Sequence, residues 1–351
     1  MARFQYMIKD AKGVRVEGTL KVASMEEAIE KGLFEDIDIN LETVQLTITG
    51  NIAEFSHVKI IGDKGEKELE FILIKEEKKN WRIVESGGLD SCSYERYTSP
   101  YGDDCVQHEG YYRCWDIYVP AGLTGSAALV IDLHGFTSNP SQQRAFSGFD
   151  SLADSEGFII VWPYGLCNSW NSGAKCCEPA SSDNIDDVGF IRKLVTQVSG
   201  QYDIDSGRIY VTGLSNGCAM TQRLANEASD IIAAAACMSL YLLVPEDAGY
   251  TPVSVMELHG TDDEVMDYEP GEFPGALENF NTWKTMNNCT GSYTVTWSSG
   301  NSFAWTYQTC DNGTEVCLVT IDGAGHVLYP GEETDIDTAR LAWDFMKRFT
   351  K

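Results

Sequence analysis

From residue 112 to residue 349, short apolar runs alternate with amphipathic stretches, and this alternation constrains the fold more than any other feature of the sequence. The runs 129–133 and 158–162 are mostly apolar, which is typical of parallel strands buried on both faces. Further strands are predicted at 112–119 (an edge strand), 208–212, 231–238, 253–258 and 317–321, with a hairpin of 293–297 and 305–307. Helices are predicted at 141–155, 187–198, 216–227, 276–286 and 336–349. This order predicts an α/β fold with a mostly parallel central sheet and helices on both faces.

Charge and cysteine content divide the chain into two parts. Residues 1–89 hold 13 Lys and Arg, 17 Asp and Glu, and no cysteine, whereas residues 90–351 hold 13 Lys and Arg, 36 Asp and Glu, and all 11 cysteines. The change falls at the flexible stretch Ser86-Gly87-Gly88. We therefore predict a small α+β N-terminal module, 1–88, and a larger α/β domain, 89–351.

The N-terminal module shows local structure but no chemistry. A capping box at 24–27 predicts a short helix to about residue 31, and the runs 58–61 and 69–74 predict a hairpin. The module is either a natural interaction domain or a fusion partner, and the sequence leaves both open.

The net charge of −27 limits the partners of this protein. A strongly acidic chain does not wrap nucleic acid through phosphate contacts or bind an anionic membrane surface. We expect neither nucleic acid nor membrane as a partner, and we expect a monomer.

The pentapeptide Gly213-Leu-Ser215-Asn-Gly217 follows a predicted strand and opens a predicted helix. This is the context of a nucleophile elbow, in which glycines flank the serine because the sharp turn leaves no room for a Cβ atom. A serine hydroxyl needs a base to become a nucleophile. His326 is the predicted base, because it follows the last predicted strand.

The predicted base needs a carboxylate partner, and the forming oxyanion needs two N–H donors. The segment after the strand 253–258 offers three carboxylates, of which at most one is catalytic: Asp262, Asp263 and Glu264. The predicted oxyanion donors are the backbone N–H groups of Asn216, directly after the nucleophile, and of Phe136, in Leu133-His134-Gly135-Phe136. His134 itself is expected to support that loop, and His259 is expected to be a structural residue at a strand end.

The second part of the chain resembles the secreted α/β-hydrolase esterases of the polyhydroxybutyrate (PHB) depolymerase and feruloyl esterase type. The matching pieces lie at 112–120, 133–136, 146–150, 169–171, 176–177, 186–190, 213–217, 259–263 and 325–326. The resemblance implies Ser215 as nucleophile, His326 as base and Asp263 as acid. It also places Trp170 near the substrate cleft.

The chain departs from that family in three places. After His326 the loop Val-Leu-Tyr329-Pro-Gly is one residue longer than is usual in the family, Phe136 stands where many relatives have cysteine, and residues 1–88 have no counterpart. Substrate contacts of the loop after His326 are therefore not carried over.

Eleven cysteines suggest an oxidising compartment, and their odd number leaves at least one thiol free. We expect Cys289 to pair with Cys310, and Cys167 with Cys176 or Cys177. We expect Cys218 and Cys237 to be unpaired, and the neighbours Cys176 and Cys177 not to bond each other.

The expected location is extracellular, although the chain shows no signal peptide. The cysteine spacings and scattered histidines indicate no metal site, and no cofactor is expected.

The sequence thus predicts a serine carboxylic ester hydrolase that works through an acyl-enzyme. The expected substrates are feruloyl or other aromatic esters, or polyesters of the polyhydroxyalkanoate or polyethylene terephthalate type, including insoluble polymers. A serine peptidase on the same fold and a non-catalytic binding protein with a hydrolase-like scaffold are the alternatives.

Overall fold

The computed structural model describes residues 104–173, 176–271, 273–327 and 335–351, together with the backbone of seven strands between residues 2 and 87. The chain divides into two compact units, Met1–Cys92 and Ser93–Lys351. None of the helices in the described part of the chain has the length and apolar character that crossing a bilayer requires.

The first unit contains a seven-stranded sheet. Its strands are β1 (Ala2–Lys9), β2 (Arg15–Val22), β3 (Asp38–Asn40), β4 (Gln45–Thr49), β5 (Ile52–Gly62), β6 (Gly65–Glu76) and β7 (Asn80–Gly87). The predicted hairpin is present, since β5 and β6 pair antiparallel as far as Gly62 and Gly65. The predicted helix at 24–31 lies outside the described residues.

The second unit is built on a ten-stranded sheet with the order β15-β16-β17-β14-β13-β12-β10-β11-β9-β8. The strands are β8 (Cys105–His108), β9 (Tyr111–Tyr118), β10 (Ala127–Leu133), β11 (Ile159–Pro163), β12 (Ile204–Leu214), β13 (Ala234–Met238), β14 (Ser254–Gly260), β15 (Thr294–Ser299), β16 (Ser302–Tyr307) and β17 (Val316–Ile321). The six strands from β17 to β11 pair in parallel, and the pairs at both edges are antiparallel. The predicted mostly parallel sheet is confirmed.

Six α-helices lie in the described part of the second unit. They are α1 (Pro140–Ser147), α2 (Phe149–Glu156), α3 (Asp187–Gln201), α4 (Asn216–Glu227), α5 (Ala276–Met286) and α6 (Thr338–Met346). Two of the predicted elements are wrong in detail. The single helix predicted at 141–155 is split, because Gly148 adopts a left-handed conformation with φ of 63°. The strand predicted as an edge is covered by β8, which pairs with β9 through Cys105 and Cys114.

Successive residues of the central strands feed two separate cores. Leu129 and Ile131 of β10 pack with α3, α4 and α5 on one face, whereas Ala128 and Val130 pack with α2 and α6 on the other. Side chains of a strand alternate between the faces of its sheet, so a strand covered by helices on both sides is mostly apolar. This explains why β10 is buried along its whole length.

The edge strand β15 is exposed over most of its length. Its pairing with β16 changes register between Val295 and Trp297, as at a β-bulge. A bulge adds a residue to one strand and bends it locally, so β15 is not a regular edge.

Four disulfides join cysteines of the second unit: Cys105–Cys114, Cys176–Cys177, Cys218–Cys237 and Cys289–Cys310. The pairing of Cys289 with Cys310 was predicted and is confirmed. Cys317 is the free and buried cysteine among the described residues, in agreement with the odd count.

Three of the cysteine predictions are wrong. Cys218 and Cys237 are buried as expected, but α4 and β13 bring their Cα atoms within 4.9 Å, so burial goes together with pairing. Cys176 and Cys177 bond each other, since their Cα atoms are only 3.0 Å apart. Neither is therefore available to Cys167, which is itself disulfide-bonded.

Candidate active site

Ser215 lies at a sharp turn between β12 and α4, with φ of 55° and ψ of −121°. Such a conformation is strained for a residue other than glycine and is kept only where the surroundings enforce it. Gly217 shows how they do so, because a Cβ atom at this position would lie 2.1 Å from the carbonyl oxygen of Leu133. The first turn of α4 therefore packs directly on the end of β10, and the predicted elbow geometry is present.

Asn216 joins the elbow to the neighbouring loop through its side chain. Its Oδ1 accepts the backbone N–H of Trp170 at 2.7 Å, and its Nδ2 donates to Trp170 O at 3.0 Å and to Ser172 Oγ at 2.8 Å. Within the described residues, its backbone N–H donates to no protein acceptor. That N–H is thus available to an acceptor on a ligand, while the side chain fixes the loop, and its role as an oxyanion donor stays a prediction.

The predicted second oxyanion donor lies on the loop after β10. A Cβ atom on Gly135 would lie 3.6 Å from Ser215 Cβ, so this loop passes directly beside the nucleophile. The loop turns through a hydrogen bond from Ser138 N–H to Gly135 O. The Phe136 N–H has no acceptor among the described residues, and the Phe136 side chain is 45% exposed.

His134 supports this loop from inside the protein. Its Nε2 accepts the Gly165 N–H at 3.0 Å, so in the neutral ring the proton is on Nδ1, which donates to Gly135 O at 2.8 Å. Burial lowers the pKa of His134 to about 4. The imidazole is therefore neutral at pH 7, in agreement with the supporting role expected from the sequence.

Trp170 is fully buried, with 0% of its surface exposed. Its indole N–H donates to His134 O at 3.0 Å, and its ring lies 5.0 Å from the His134 ring. The structure thus places Trp170 beneath the oxyanion loop, and contact with substrate stays a prediction from the family resemblance.

The predicted acid and base meet although they are far apart in sequence. Asp263 follows β14 and His326 follows β17, and these two strands are parallel neighbours. His326 Nδ1 lies 2.8 Å from Asp263 Oδ2 and 3.0 Å from Oδ1. Gly260 allows the two loops to approach, because a Cβ atom there would lie 2.2 Å from Ala324 O.

The three candidate carboxylates differ in their burial. Asp263 is 4% exposed, whereas Asp262 and Glu264 are exposed to solvent. Asp263 Oδ1 also accepts the backbone N–H groups of Val265 and Met266. Burial alone would raise the pKa of Asp263, but the hydrogen bond and charge of His326 outweigh it and hold that pKa below its usual range. Asp263 is therefore held as a carboxylate facing the imidazole.

A depression of about 430 Å³ opens beside Asp263. Besides Asp263 it is lined by four further carboxylates, those of Asp262, Glu264, Asp267 and Glu269. Such a wall disfavours an anionic ligand, because like charges repel across a cleft.

One group of possible metal ligands was missed from the sequence. Ligand atoms of His108, Glu109 and Asp186 lie within 4.8 Å of one another. His108 Nε2 already contacts Asp186 Oδ2 at 2.9 Å, and Asp186 Oδ1 accepts the Gly189 N–H at the start of α3. Asp186 thus caps the helix, and the group takes no part in the arrangement around Ser215.

Sequence comparison places this arrangement among known esterases. Residues 113–267 match the family model described as esterase PHB depolymerase. Feruloyl esterase B of Piromyces equi is 32% identical over 253 residues, which are 66% of this chain and 44% of that protein. The bifunctional acetylxylan esterase/xylanase XynS20E of Neocallimastix patriciarum is 27% identical over 256 residues, 71% of this chain and 35% of that protein. The chain thus spans less than half the length of either relative.

Structural comparison supports the same assignment at the level of the fold. Acetyl xylan esterase from Aspergillus awamori superimposes with a TM-score of 0.53 at 16% identity, over 67% of this chain and 94% of that one. The predicted α/β-hydrolase fold is confirmed. Poly(3-hydroxyalkanoate) depolymerase C of Paucimonas lemoignei is 33% identical over 123 residues, 34% of this chain and 29% of that protein. Residues 113–267 are thus similar to the PHB depolymerase family of esterases.

Proposed function

We propose that this protein is a serine carboxylic ester hydrolase. The observation that carries the proposal is the hydrogen bond between the buried Asp263 and the partly exposed His326, at the same sheet edge as the strained Ser215. The carboxyl ends of β10, β12, β14 and β17 meet at that edge, because these strands run in parallel. Nucleophile, base, acid and two free N–H donors are then available to one bound carbonyl group.

Acylation follows from the hydrogen-bond directions. Because His326 Nδ1 faces the Asp263 carboxylate, Nδ1 carries a proton and Nε2 keeps its lone pair. Nε2 accepts the Ser215 Oγ proton as Oγ bonds to the ester carbon. The carbonyl oxygen becomes an oxyanion held by the Phe136 and Asn216 N–H groups. His326 then returns its proton to the alkoxide as the ester C–O bond breaks, and the alcohol leaves.

Deacylation repeats these steps with water. His326 accepts a proton from water, the oxygen bonds to the acyl carbon, and the second oxyanion occupies the same two N–H groups. The bond to Ser215 Oγ breaks as His326 protonates Oγ, which restores the enzyme. The released carboxylic acid ionises, and the acidic wall beside Asp263 favours its departure.

For the substrate we propose neutral feruloyl or other aromatic esters, or polyesters of the polyhydroxyalkanoate or polyethylene terephthalate type. Support comes from the names of the relatives and from two exposed apolar side chains beside the site. Phe136 is 45% exposed and Val265 is 66% exposed, and each lies within two residues of a proposed catalytic group. They offer apolar contact area to an acyl group or polymer surface.

A substrate panel tests the proposal. p-Nitrophenyl butyrate, methyl ferulate, polyhydroxybutyrate, amorphous polyethylene terephthalate and a peptide p-nitroanilide are offered to the wild type and to Ser215→Ala. Ester turnover that Ser215→Ala abolishes supports the serine esterase. Turnover of the anilide above that of the esters favours the serine peptidase, and no turnover of any substrate favours the binding protein.

We further propose an extracellular location. Four disulfides in the second unit support it, because such bonds persist in oxidising compartments. The insoluble polymer as a partner, the monomeric state and the independence of residues 1–88 are likewise proposals.

A further inference from the structure

Two buried titratable residues take no part in the mechanism above. Glu257 and His259 lie two positions apart on β14, so their side chains share one face of the sheet. Glu257 is 2% exposed and His259 is 0% exposed. A buried carboxylate is destabilising unless a positive charge or several hydrogen-bond donors compensate it. The burial of this pair therefore needs a structural or functional explanation.

The hydrogen bonds of His259 determine where its protons lie. Nε2 is 2.8 Å from Met266 O, and a carbonyl oxygen can only accept, so Nε2 carries a proton. Nδ1 is 2.9 Å from Glu257 Oε1. Glu257 Oε2 accepts a hydrogen bond from Asn279 Nδ2 at 2.5 Å. The contact between Oε1 and Nδ1 then needs one further proton, and when that proton is on Nδ1 a carboxylate faces a doubly protonated imidazole.

His259 is connected to the proposed catalytic acid by two routes. Its Nε2 lies 3.4 Å from Asp263 Oδ2, at ion-pair distance. It also holds Met266 O, and the N–H of the same residue donates to Asp263 Oδ1 at 2.8 Å. The loop that presents Asp263 to His326 is thus anchored at Met266 by the imidazole.

The other groups around His259 are neutral aromatic side chains. The Tyr241 ring stacks on it at 5.2 Å, and the Tyr268 ring meets it edge-on at 5.7 Å. Tyr241 OH lies 3.4 Å from His259 Nε2. Desolvation and the nearby carboxylates of Glu257 and Asp263 raise the pKa of Tyr241, which keeps this hydroxyl neutral.

Opposing effects act on the pKa of each member of the pair. Burial by itself would lower the pKa of His259, but the hydrogen bond and charge of Glu257 outweigh it, so the net shift is upward. Burial raises the pKa of Glu257, and the hydrogen bond and charge of His259 oppose that rise only in part. When both of its ring nitrogens are protonated, His259 lies between the carboxylates of Glu257 and Asp263.

We propose that Glu257 and His259 are positioning residues for the catalytic acid, with Glu257 keeping His259 doubly protonated so that it holds the Asp263 loop and places a positive charge beside Asp263. The proposal rests on the role of Asp263 in the proposed function. A positive charge on His259 disfavours a second positive charge close by on the other side of Asp263, so we expect activity to extend further toward acid.

The variant Glu257→Gln tests the proposal, with Glu315→Gln as the matched control. Both variants remove one carboxylate. Glu315 lies just before β17, forms an ion pair with Arg348 and contacts neither His259 nor Asp263. In Glu257→Gln we expect His259 to lose its charge. The acidic midpoint of the kcat/KM profile with p-nitrophenyl butyrate should then rise by roughly 0.5 to 1 pH unit. The midpoint of Glu315→Gln should match that of the wild type.

A second measurement uses the wild type alone, so it does not depend on the variant's folding. The ¹⁵N signals of His259 at pH 7, in protein labelled at histidine, should show two protonated ring nitrogens. A neutral ring at pH 7 would overturn the proposal, and so would a folded Glu257→Gln enzyme whose pH profile superimposes on the wild-type profile. Failure of the proposed function is recognised separately, because Ser215→Ala would then keep the wild-type turnover.

Discussion

The two halves of the candidate site are held by different forces. On the nucleophile side, Ser215, Gly135 and Gly217 are fixed by close backbone packing and by hydrogen bonds between neutral groups. On the acid–base side, Asp263 and His326 are fixed by a buried set of titratable groups that continues to Glu257. Steric fit does not depend on pH, whereas a network of charges does. We therefore expect substitutions of shape to damage the first half and substitutions of charge to damage the second.

The largest effect should come from Ser215→Ala. It removes the nucleophile but none of the packing around it, because Ser215 Oγ makes no hydrogen bond within the described residues. We expect kcat to fall by at least roughly 10⁴-fold, since the nucleophile and its base act as a unit. Circular dichroism and the melting temperature should match the wild type. Near-wild-type turnover would show that the elbow is not the reactive centre.

Asp263→Asn should reduce kcat/KM by roughly 10³- to 10⁴-fold. The amide can present N–H to His326 Nδ1, which favours the wrong tautomer, and it removes the charge that the imidazolium needs. Asp262→Asn is the matched control, because Asp262 is exposed and, among the described residues, its side chain bonds only to the neighbouring Thr261 hydroxyl. The control should stay within a few-fold of the wild type. Equal losses in both variants would mean that the acid is assigned to the wrong residue.

Gly217→Ala tests whether the nucleophile side depends on shape. The added methyl group would meet two backbone carbonyl oxygens, those of Leu133 and His134, at 2.1 and 2.6 Å. We expect the free energy of unfolding to fall by about 3 kcal/mol. Gly200→Ala in α3 is the control, because a Cβ atom there has no neighbour within 4 Å and should stabilise the helix by about 0.5 kcal/mol. Denaturant titration of both variants measures the difference, and equal stabilities would contradict the packing argument.

His134→Gln tests the neutral histidine under the oxyanion loop. Its pKa is lowered from 6.5 to about 4 in the folded protein, so between these values the unfolded chain binds more protons. The stability that His134 contributes is therefore present above pH 6.5 and is lost as the pH falls toward 4, by about 3 kcal/mol in total. The difference in unfolding free energy between wild type and variant should shrink by that amount between pH 7 and pH 4.

The contribution of Asp132 to stability has the opposite pH dependence, but it cancels when the wild type is compared with His134→Gln. Burial raises its pKa to about 6, so its contribution to stability decreases as the pH rises through the same window. Asp132 is present in both proteins. A difference between wild type and His134→Gln that does not vary with pH would show that His134 is not buried in the neutral form.

The smallest effect should come from removing residues 1–88. All the proposed catalytic groups lie in the unit 93–351, and domains joined by a flexible stretch usually fold independently. A chain starting at Leu89 should hydrolyse a soluble ester with kcat/KM within about threefold of the full chain. Loss of turnover in a folded truncated protein would refute the predicted division. Loss on insoluble polymer alone would assign the first unit a targeting role.

The sequence predicts the two halves of the site unequally, for a physical reason. The elbow can be predicted from a short stretch of sequence, because the glycines that permit the turn lie within two residues of Ser215. The helix α4 that follows was predicted to the residue. The Asp263–His326 contact spans 63 positions, and the order of motifs along the chain pointed to His326 whereas the family resemblance pointed to Asp263.

Features that depend on long-range packing could not be predicted from local patterns. In the sequence, Glu257 is an isolated carboxylate in a mostly apolar strand. Only the folded structure shows that His259 and Asn279 are its hydrogen-bond partners. The Cys218–Cys237 bridge likewise depends on how α4 lies against β13. In both cases the partner comes from a distant part of the chain, which local patterns do not reveal.

The irregular pairing of β15 has a consequence for the behaviour of the protein at high concentration. An exposed, regular edge strand is a template on which other chains add strands and aggregate. The register change between Val295 and Trp297 interrupts that template, and the net charge of −27 makes the molecules repel one another. Concentrated solutions should therefore remain clear at neutral pH. Self-association should begin in acid, where protonation of Asp and Glu removes the repulsion and leaves the bulge as the remaining protection of this edge.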